Sequence, residues 1–253
     1  MLKTRVIPCL LLKREGLVKT KNFKTETYIG DAINTVRIFN EMEVDELIVL
    51  DILASKENHE PNFDLIRHIA DECFMPLSYG GGIRNIKDIN KIFNIGVEKI
   101  SINSSSIDNP ELIKNAAEAF GNQSIVVSID VKTNFWNKYD VYTHGGTKRH
   151  KINPMDHARN MEALGAGEIL LTSIDNEGTW KGYDYTIVKT IASSVSIPVI
   201  TNGGAGEIEH LSRAVKYAGA SAVALGSMVV YQGQDLGVLI NFPDKCELEK
   251  ALD

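Results

Sequence analysis

The sequence predicts an α/β protein with a (β/α)8 barrel, from three observations: alternating strands and helices, two similar glycine-rich turns, and an internal repeat. Eight short segments rich in Val, Ile and Leu are typical of parallel strands covered on both faces. They lie at 5–11, 46–51, 75–79, 99–103, 124–130, 168–173, 197–201 and 221–225. Eight such units in 253 residues fit a barrel. The alternative, a doubly wound open sheet, binds its ligand at one switch point and explains two similar turns less well.

The two halves of the chain repeat each other, because Gly80 and Gly203 lie in similar turns 123 residues apart. Segments of the first half are echoed in the same order in the second, as 46–51 is by 168–173. We therefore expect one barrel domain, residues 1–253, built from half-barrels at about 1–120 and 121–253.

Helical patterns follow most of the strands. They are predicted at 31–42, 63–73, 86–93, 109–119, 155–164, 183–193 and 207–217. Asn109-Pro110 and Asn153-Pro154 match a capping residue followed by proline at the first helical position. Pro8 counts against the first strand, because proline cannot donate a hydrogen bond to a neighbouring strand.

The composition is that of an ordinary soluble globular protein, with 43% hydrophobic and 24% charged residues. A net charge of −6 argues against nucleic-acid or membrane-surface partners, and no apolar run approaches the roughly 20 residues of a membrane span. Cys9, Cys73 and Cys246 are scattered without metal-ligand spacing and suit a reducing compartment. We expect a cytoplasmic protein with no metal, no cofactor, no nucleic-acid partner and no membrane partner.

The two glycine-rich turns join a strand to a helix, where bare N–H groups attract an anion such as phosphate. A plain tight turn is the simpler alternative. In a barrel, the strand ends and the loops that follow them meet at one rim. Asp51 and Asp130 end strands there. We expect two phosphate sites at this rim, formed by Gly82, Asn103 and Ser104 and by Gly204, Gly226 and Ser227.

Two connections exceed the usual 2–6 residues. The loop at 12–30 carries five basic residues including Lys19, and it is either a lid that clamps an anionic substrate or a solvated basic loop. The connection at 131–153 is rich in aromatic residues and could form a small hairpin over the barrel mouth. Its His144 is a candidate for acid–base work or for simple loop packing.

Charged residues begin four of the predicted strands: Arg5, Glu46, Lys99 and Glu168. Since buried charges are costly unless they are paired, a closed ring of salt bridges at the barrel bottom is the sensible geometry. Such a ring would be a structural plug or a gate to an axial passage, unless the charges simply turn to solvent.

The chain resembles the cyclase subunit of imidazole glycerol phosphate synthase over nearly its whole length. The matching stretches include 5–9, 45–47, 50–52, 80–84, 99–103, 142–146, 164–173, 196–200 and 203–206. The resemblance implies a (β/α)8 TIM barrel of two half-barrels, each with a phosphate site, and a bisphosphorylated substrate. It also implies a glutaminase docked at the bottom, whose ammonia crosses a gate matching Arg5, Glu46, Lys99 and Glu168.

The chain departs from that family where the resemblance places the catalytic groups. The family uses two aspartates, of which one matches Asp130, while the other position holds Leu11. Glu177 stands where the family has aspartate, and Trp180 where it has a polar residue. A leucine cannot transfer a proton, so these departures leave open whether the barrel is itself an enzyme.

Three hypotheses remain from the sequence. The first is a subunit that receives ammonia from a glutaminase for acetamidino modification of a surface amino sugar, alongside a separate sugar amidotransferase, as in a diverged branch of the family. The second is a histidine-biosynthesis cyclase, a lyase that tolerates Leu11. The third is a non-catalytic scaffold that keeps its phosphate sites by descent.

Overall fold

A computed structural model describes residues 4–252 of the chain. The strands are β1 (Arg5–Lys13), β2 (Gly16–Lys21), β3 (Thr25–Asp31), β4 (Leu47–Asp51), β5 (Leu77–Gly80), β6 (Lys99–Ile102), β7 (Ile125–Thr133), β8 (Tyr139–Thr143), β9 (Lys148–His150), β10 (Glu168–Ser173), β11 (Val199–Asn202) and β12 (Ala222–Leu225). The helices are α1 (Ala32–Glu41), α2 (Phe63–Asp71), α3 (Ile86–Ile95), α4 (Ser104–Asp108), α5 (Glu111–Phe120), α6 (Pro154–Ala163), α7 (Tyr185–Ala192), α8 (Ile208–Lys216), α9 (Ser227–Val230) and α10 (Lys245–Leu252).

Eight parallel strands close into a barrel. They follow one another in the order β1, β4, β5, β6, β7, β10, β11 and β12, and β12 pairs back onto β1. Helices cover the outside, and a large apolar core lies between them and the strands. The predicted (β/α)8 barrel is therefore confirmed.

Pro8 fits into β1 because of the register of this strand. Residues up to Pro8 pair with β12, and the pairing with β4 begins only at Cys9. The proline thus stands where the ladder passes from one neighbour to the other, so its missing N–H costs little.

Side chains cap most of the long helices that were predicted. At α6 the side chain of Asn153 accepts a hydrogen bond from Met155 N, with Pro154 in the first turn, as expected. The matching prediction at Asn109 is wrong. Residues 104–108 form the short helix α4, so Asn109 ends that helix, and α5 starts after Pro110 without a side-chain cap.

The long connections at the carboxyl end of the barrel are hairpins. The first was predicted as a loop over 12–30, and this is wrong: β1 continues to Lys13, and β2 and β3 form an antiparallel pair. Leu17, Val18 and Ile29 are buried, which holds this hairpin on the barrel despite its many lysines. The second connection forms the hairpin expected over 131–153, with β8 and β9 added to β7.

The barrel interior has its own small core. It is formed by Ile7, Cys9, Ile48, Val126, Leu170, Ile200, Ala222 and Ala224. These side chains lie between charged residues at the amino ends of the strands and polar residues at their carboxyl ends. Within residues 4–252, none of the helices combines the length and apolarity that a membrane crossing needs.

Candidate active site

A cavity opens at the carboxyl ends of the barrel strands, the end at which (β/α)8 enzymes carry their active sites. The structure brings the expected rim residues together in its lining. These are Lys19, Asp51, Gly82, Asn103, Ser104, Asp130, Glu177, Gly204, Gly226 and Ser227.

Asp130 is a buried carboxyl group at the carboxyl end of β7. Asn103 Nδ2 donates to its Oδ2 at 3.2 Å, and Thr172 adds a second hydrogen bond. Burial raises the pKa of Asp130 to about 7; the bond from Thr172 lowers it, and the nearby charge of Glu177 raises it. A carboxyl group with a pKa near neutrality can both give and take a proton at physiological pH.

Leu11 places an apolar wall in the same cavity. It is buried, and its strand neighbours are Leu50 on β4 and Val18 on β2. Leu11 and Leu50 both line the cavity together with Asp130. Leu11 therefore gives this part of the cavity a shaped apolar surface that excludes water, and it has no group that could transfer a proton.

The glycine-rich turns adopt backbone conformations that require glycine. Gly82 and Gly204 have φ of +73° and +112°, in the range that side chains disfavour. A Cβ on Gly82 would lie 2.9 Å from the carbonyl oxygen of His59, and one on Gly204 would clash with that of Gly182. The backbone is thus packed closely behind each turn.

Two short helices begin beside these turns, α4 directly after β6 and α9 directly after β12. Before α4, Asn103 has φ −106° and ψ −82°; before α9, Gly226 has φ −107° and ψ −93°. Neither residue makes a side-chain cap. The first N–H groups of both helices are therefore available to an anion in the cavity.

Lys19 brings a positive charge to this rim. Its side chain is 7% exposed, and its ammonium lies so close to Gly226 that a Cβ there would clash with Nζ. The nearest carboxylate oxygen, Glu177 Oε1, is 3.7 Å away, too far for a hydrogen bond. This pair is loose enough for Lys19 to turn to an incoming anion.

The tip of the β2–β3 hairpin closes over the cavity by docking on the loop after β10. Asn22 N donates to the carbonyl oxygen of Glu177 at 2.9 Å, and Phe23 N donates to Glu177 Oε2 at 3.1 Å. Asn22 Nδ2 also donates to the carbonyl oxygens of Ile174 and Asp175. Glu177 thereby holds the tip of the hairpin, and its Oε1 lies 3.7 Å from Lys19 on β2 of the same hairpin.

Other predicted residues have mainly structural contacts. Asp51 Oδ1 accepts from Leu53 N at 2.9 Å and from Ala54 N at 3.1 Å; burial raises the pKa of this carboxyl group, and these bonds oppose the shift. His144 sits in the β8–β9 turn, with Nδ1 3.0 Å from Thr143 Oγ1, outside the cavity lining.

Lys56 was missed by the sequence reasoning. It lines the cavity from the loop after β4, and its Nζ would lie 3.2 Å from a Cβ on Gly145. Its place just beyond a strand end was the only sequence signal, and a single lysine in a polar loop does not stand out.

At the opposite end of the barrel, four charged side chains form a closed ring of alternating charge. Arg5 Nη1 lies 2.6 Å from Glu46 Oε2, and Arg5 Nη2 lies 2.9 Å from Glu168 Oε1. Lys99 Nζ lies 3.1 Å from Glu46 Oε2 and 3.3 Å from Glu168 Oε1. Each charge therefore has two partners of opposite sign.

The ring is partly open to solvent on its outer side. The side chain of Glu46 is 3% exposed, whereas that of Arg5 is 26% exposed. Burial would lower the pKa of the Arg5 guanidinium, but the carboxylates of Glu168 and Glu46 outweigh burial and raise it. Arg5 thus keeps its positive charge although its side chain is partly open to a partner. Its role as a gate stays a prediction.

The chain has clear relatives among known proteins. A family model described as histidine biosynthesis protein matches residues 5–235. A protein of Pseudomonas aeruginosa with the provisional name imidazole glycerol phosphate synthase subunit hisF2 is 50% identical over 249 residues, covering 98% of this chain and 99% of that protein. The imidazole glycerol phosphate synthase subunit HisF of Endomicrobium trichonymphae is 45% identical over 232 residues, covering 92% and 89%.

Proposed function

The chain belongs to the histidine biosynthesis protein family, among the cyclase subunits of imidazole glycerol phosphate synthase, and we propose that it receives ammonia from a glutaminase partner. The ammonia serves the acetamidino modification of a surface amino sugar, which a separate sugar amidotransferase completes. The glutaminase binds the bottom face of the barrel as the second subunit of a heterodimer.

The observation that carries this proposal is the contrast between the two ends of the barrel. At the bottom, Arg5, Glu46, Lys99 and Glu168 form an unbroken ring. At the mouth, the place of one of two expected carboxyl groups is taken by Leu11. A barrel that conducts ammonia needs the ring. If conduction is its only role, the barrel does not need two proton-transfer groups at its mouth.

The interior between the two ends suits a neutral molecule. The small core above the ring contains aliphatic side chains and Cys9, whose thiol has its pKa raised to about 12 by burial. Charged ammonium would lose its hydration there without a counter-ion, whereas neutral ammonia would lose much less. Lys99 makes longer contacts in the ring than Arg5 does, so we expect Lys99 to swing aside first.

The mouth is suited to a ligand with phosphate groups at two ends. Gly82, Asn103 and Ser104 form the first cradle, and Gly204, Gly226 and Ser227 form the second. Bare N–H groups of the two short helices supply donors in both, and Lys19 supplies a cation to the second. The similar backbone angles of Asn103 and Gly226 support the proposal that the barrel descends from two half-barrels.

The experiment compares glutamine with ammonium salt as the nitrogen source. The barrel is mixed with its glutaminase and the downstream sugar amidotransferase, and nitrogen transfer is measured for the parent, Arg5→Ala and Lys99→Ala. Both variants should lose transfer from glutamine and keep transfer from ammonium salt. Arg37→Ala, which breaks an exposed ion pair with Glu72, is the matched control and should behave as the parent does. Equal transfer from glutamine in all four proteins, or no binding of a glutaminase, would refute the proposal.

A histidine-biosynthesis cyclase is the second candidate, and the near-neutral pKa of Asp130 favours it. Loss of one positioned acid or base lowers a rate by about 10²–10⁴-fold. We therefore expect little or no turnover of the family's bisphosphate substrate with ammonium salt, and a partial gain in Leu11→Asp. Parental turnover at the level of an ordinary cyclase would establish this second candidate instead.

A further inference from the structure

A buried histidine outside the cavity contacts the helix that carries the first phosphate cradle. His157, on α6, is 6% exposed, and its Nε2 lies 3.2 Å from Ser106 Oγ in α4. Ser106 is buried as well. Neither residue has a part in the proposed delivery of ammonia, and an apolar pair would fill the same space without a buried polar contact.

The direction of this hydrogen bond follows from the number of protons. Ser106 Oγ donates its single proton to the carbonyl oxygen of Asn103 at 2.7 Å. The nitrogen His157 Nε2 must therefore be the donor to Ser106 Oγ. Burial, aided by the nearby charge of His150, lowers the pKa of His157 to about 4, so the ring stays neutral at physiological pH.

Asn103 extends this contact into the cavity. It stands at the start of α4, and its Nδ2 donates to Ser128 O at 3.1 Å and to Asp130 Oδ2 at 3.2 Å. A continuous chain of polar contacts thus runs from His157 through Ser106 and Asn103 to Asp130. A five-residue helix has little stability of its own, so such outside contacts decide where its first turn lies.

We propose that His157 is a positioning residue, which through Ser106 holds the first turn of α4 and the side-chain amide of Asn103 against the carboxyl group of Asp130. This inference rests on the proposed function, because it assigns a support to the first phosphate cradle. The opposing possibility is that His157 and Ser106 only fill space.

Three variants separate the two possibilities. His157→Phe keeps an aromatic ring but removes the N–H, His157→Gln restores an N–H donor, and Ser106→Ala removes the hydroxyl that links the histidine to Asn103. Ser193→Ala is the matched control, since Ser193 Oγ makes the same kind of bond to a helix carbonyl, that of Lys189, at 2.7 Å on α7.

The measurements are the pKa of Asp130, from carboxyl carbon NMR, and titration with inorganic phosphate followed at the amides of Ser104 and Ser227. Loss of the Asn103 bond disfavours the charged carboxylate, so His157→Phe and Ser106→Ala should raise the pKa of Asp130 by about one unit. Both should weaken phosphate binding at Ser104 about fivefold to tenfold, as expected for one misplaced donor. Binding at Ser227 should stay unchanged, and His157→Gln should recover most of both effects.

The outcomes are distinct. If His157→Phe and Ser106→Ala fold and both leave the pKa of Asp130 and the phosphate affinity at Ser104 at parental values, the pair only fills space and the inference is wrong. If transfer of glutamine nitrogen fails while the pKa of Asp130 still shifts in His157→Phe, the positioning role stands and the proposed function fails. If phosphate binds to neither amide in the parent, the shift of the Asp130 pKa alone decides.

Discussion

Replacing Glu46 by glutamine tests how much the charged ring contributes to the stability of the barrel. Glu46 accepts from both cations of the ring, with its side chain only 3% exposed. Removing one partner of a buried ion pair costs about 3–5 kcal/mol, and the remaining solvent contact of Arg5 and Lys99 favours the lower end, about 3 kcal/mol. For a chain of this size that corresponds to a fall in Tm of about 6–12 °C.

The assay is calorimetric unfolding of Glu46→Gln beside Glu72→Gln. Glu72 binds Arg37 with two hydrogen bonds, at 2.6 and 2.9 Å, so its distances match those that Arg5 makes in the ring, but this pair is exposed to solvent. Screening by water should make the Tm of Glu72→Gln nearly parental. If both variants lose the same Tm, burial does not strengthen the ring and the reasoning is wrong. If neither variant lowers the Tm, the ring contributes nothing measurable to the stability of the barrel.

Three further predictions follow from the mouth of the barrel. The pKa of Asp130 is raised from an ordinary value of 3.8 to about 7 in the folded protein, so stability present at pH 4 is lost as the pH rises through 7. Asp130→Asn should therefore be more stable than the parent at pH 8, by up to about 4 kcal/mol, and no more stable at pH 4, in urea unfolding at both pH values. Gly204→Ala should lower Tm strongly, since its Cβ would meet a backbone carbonyl at φ +112°, whereas Gly226→Ala, at φ −107°, should keep Tm and displace only the end of Lys19. Lys19→Ala should weaken binding of inorganic phosphate at Ser227 more than at Ser104, measured by NMR titration, and equal loss at both would contradict its place beside Gly226.

The barrel itself could be predicted because its signals are local. Strands buried on both faces are runs of aliphatic residues. The positive φ angles of Gly82 and Gly204 require glycine, which the sequence shows directly. The short helices α4 and α9 could not be predicted, since five and four residues are too few for a helical period.

The hairpin over the mouth escaped prediction for a different reason. Its buried apolar positions, Leu17, Val18 and Ile29, are few, and Lys19, Lys21 and Lys24 gave the segment the composition of a solvated loop. What fixes its tip is a set of long-range contacts from Asn22 and Phe23 to the loop after β10, which no local pattern can reveal. The same holds for the contact between His157 and Ser106, whose residues are 51 positions apart.

The geometry of β1 explains how the mouth can differ from the family while the ring does not. Arg5, Ile7, Cys9 and Leu11 are two residues apart and point into the barrel at successive levels, so Arg5 and Leu11 lie about 20 Å apart along the strand. A small apolar core separates these levels. Sites that far apart with no shared partner change free energies independently. A substitution at position 11 can therefore remove proton transfer at the mouth without disturbing the ring, so the proposed conduction of ammonia is compatible with a mouth whose own chemistry has changed.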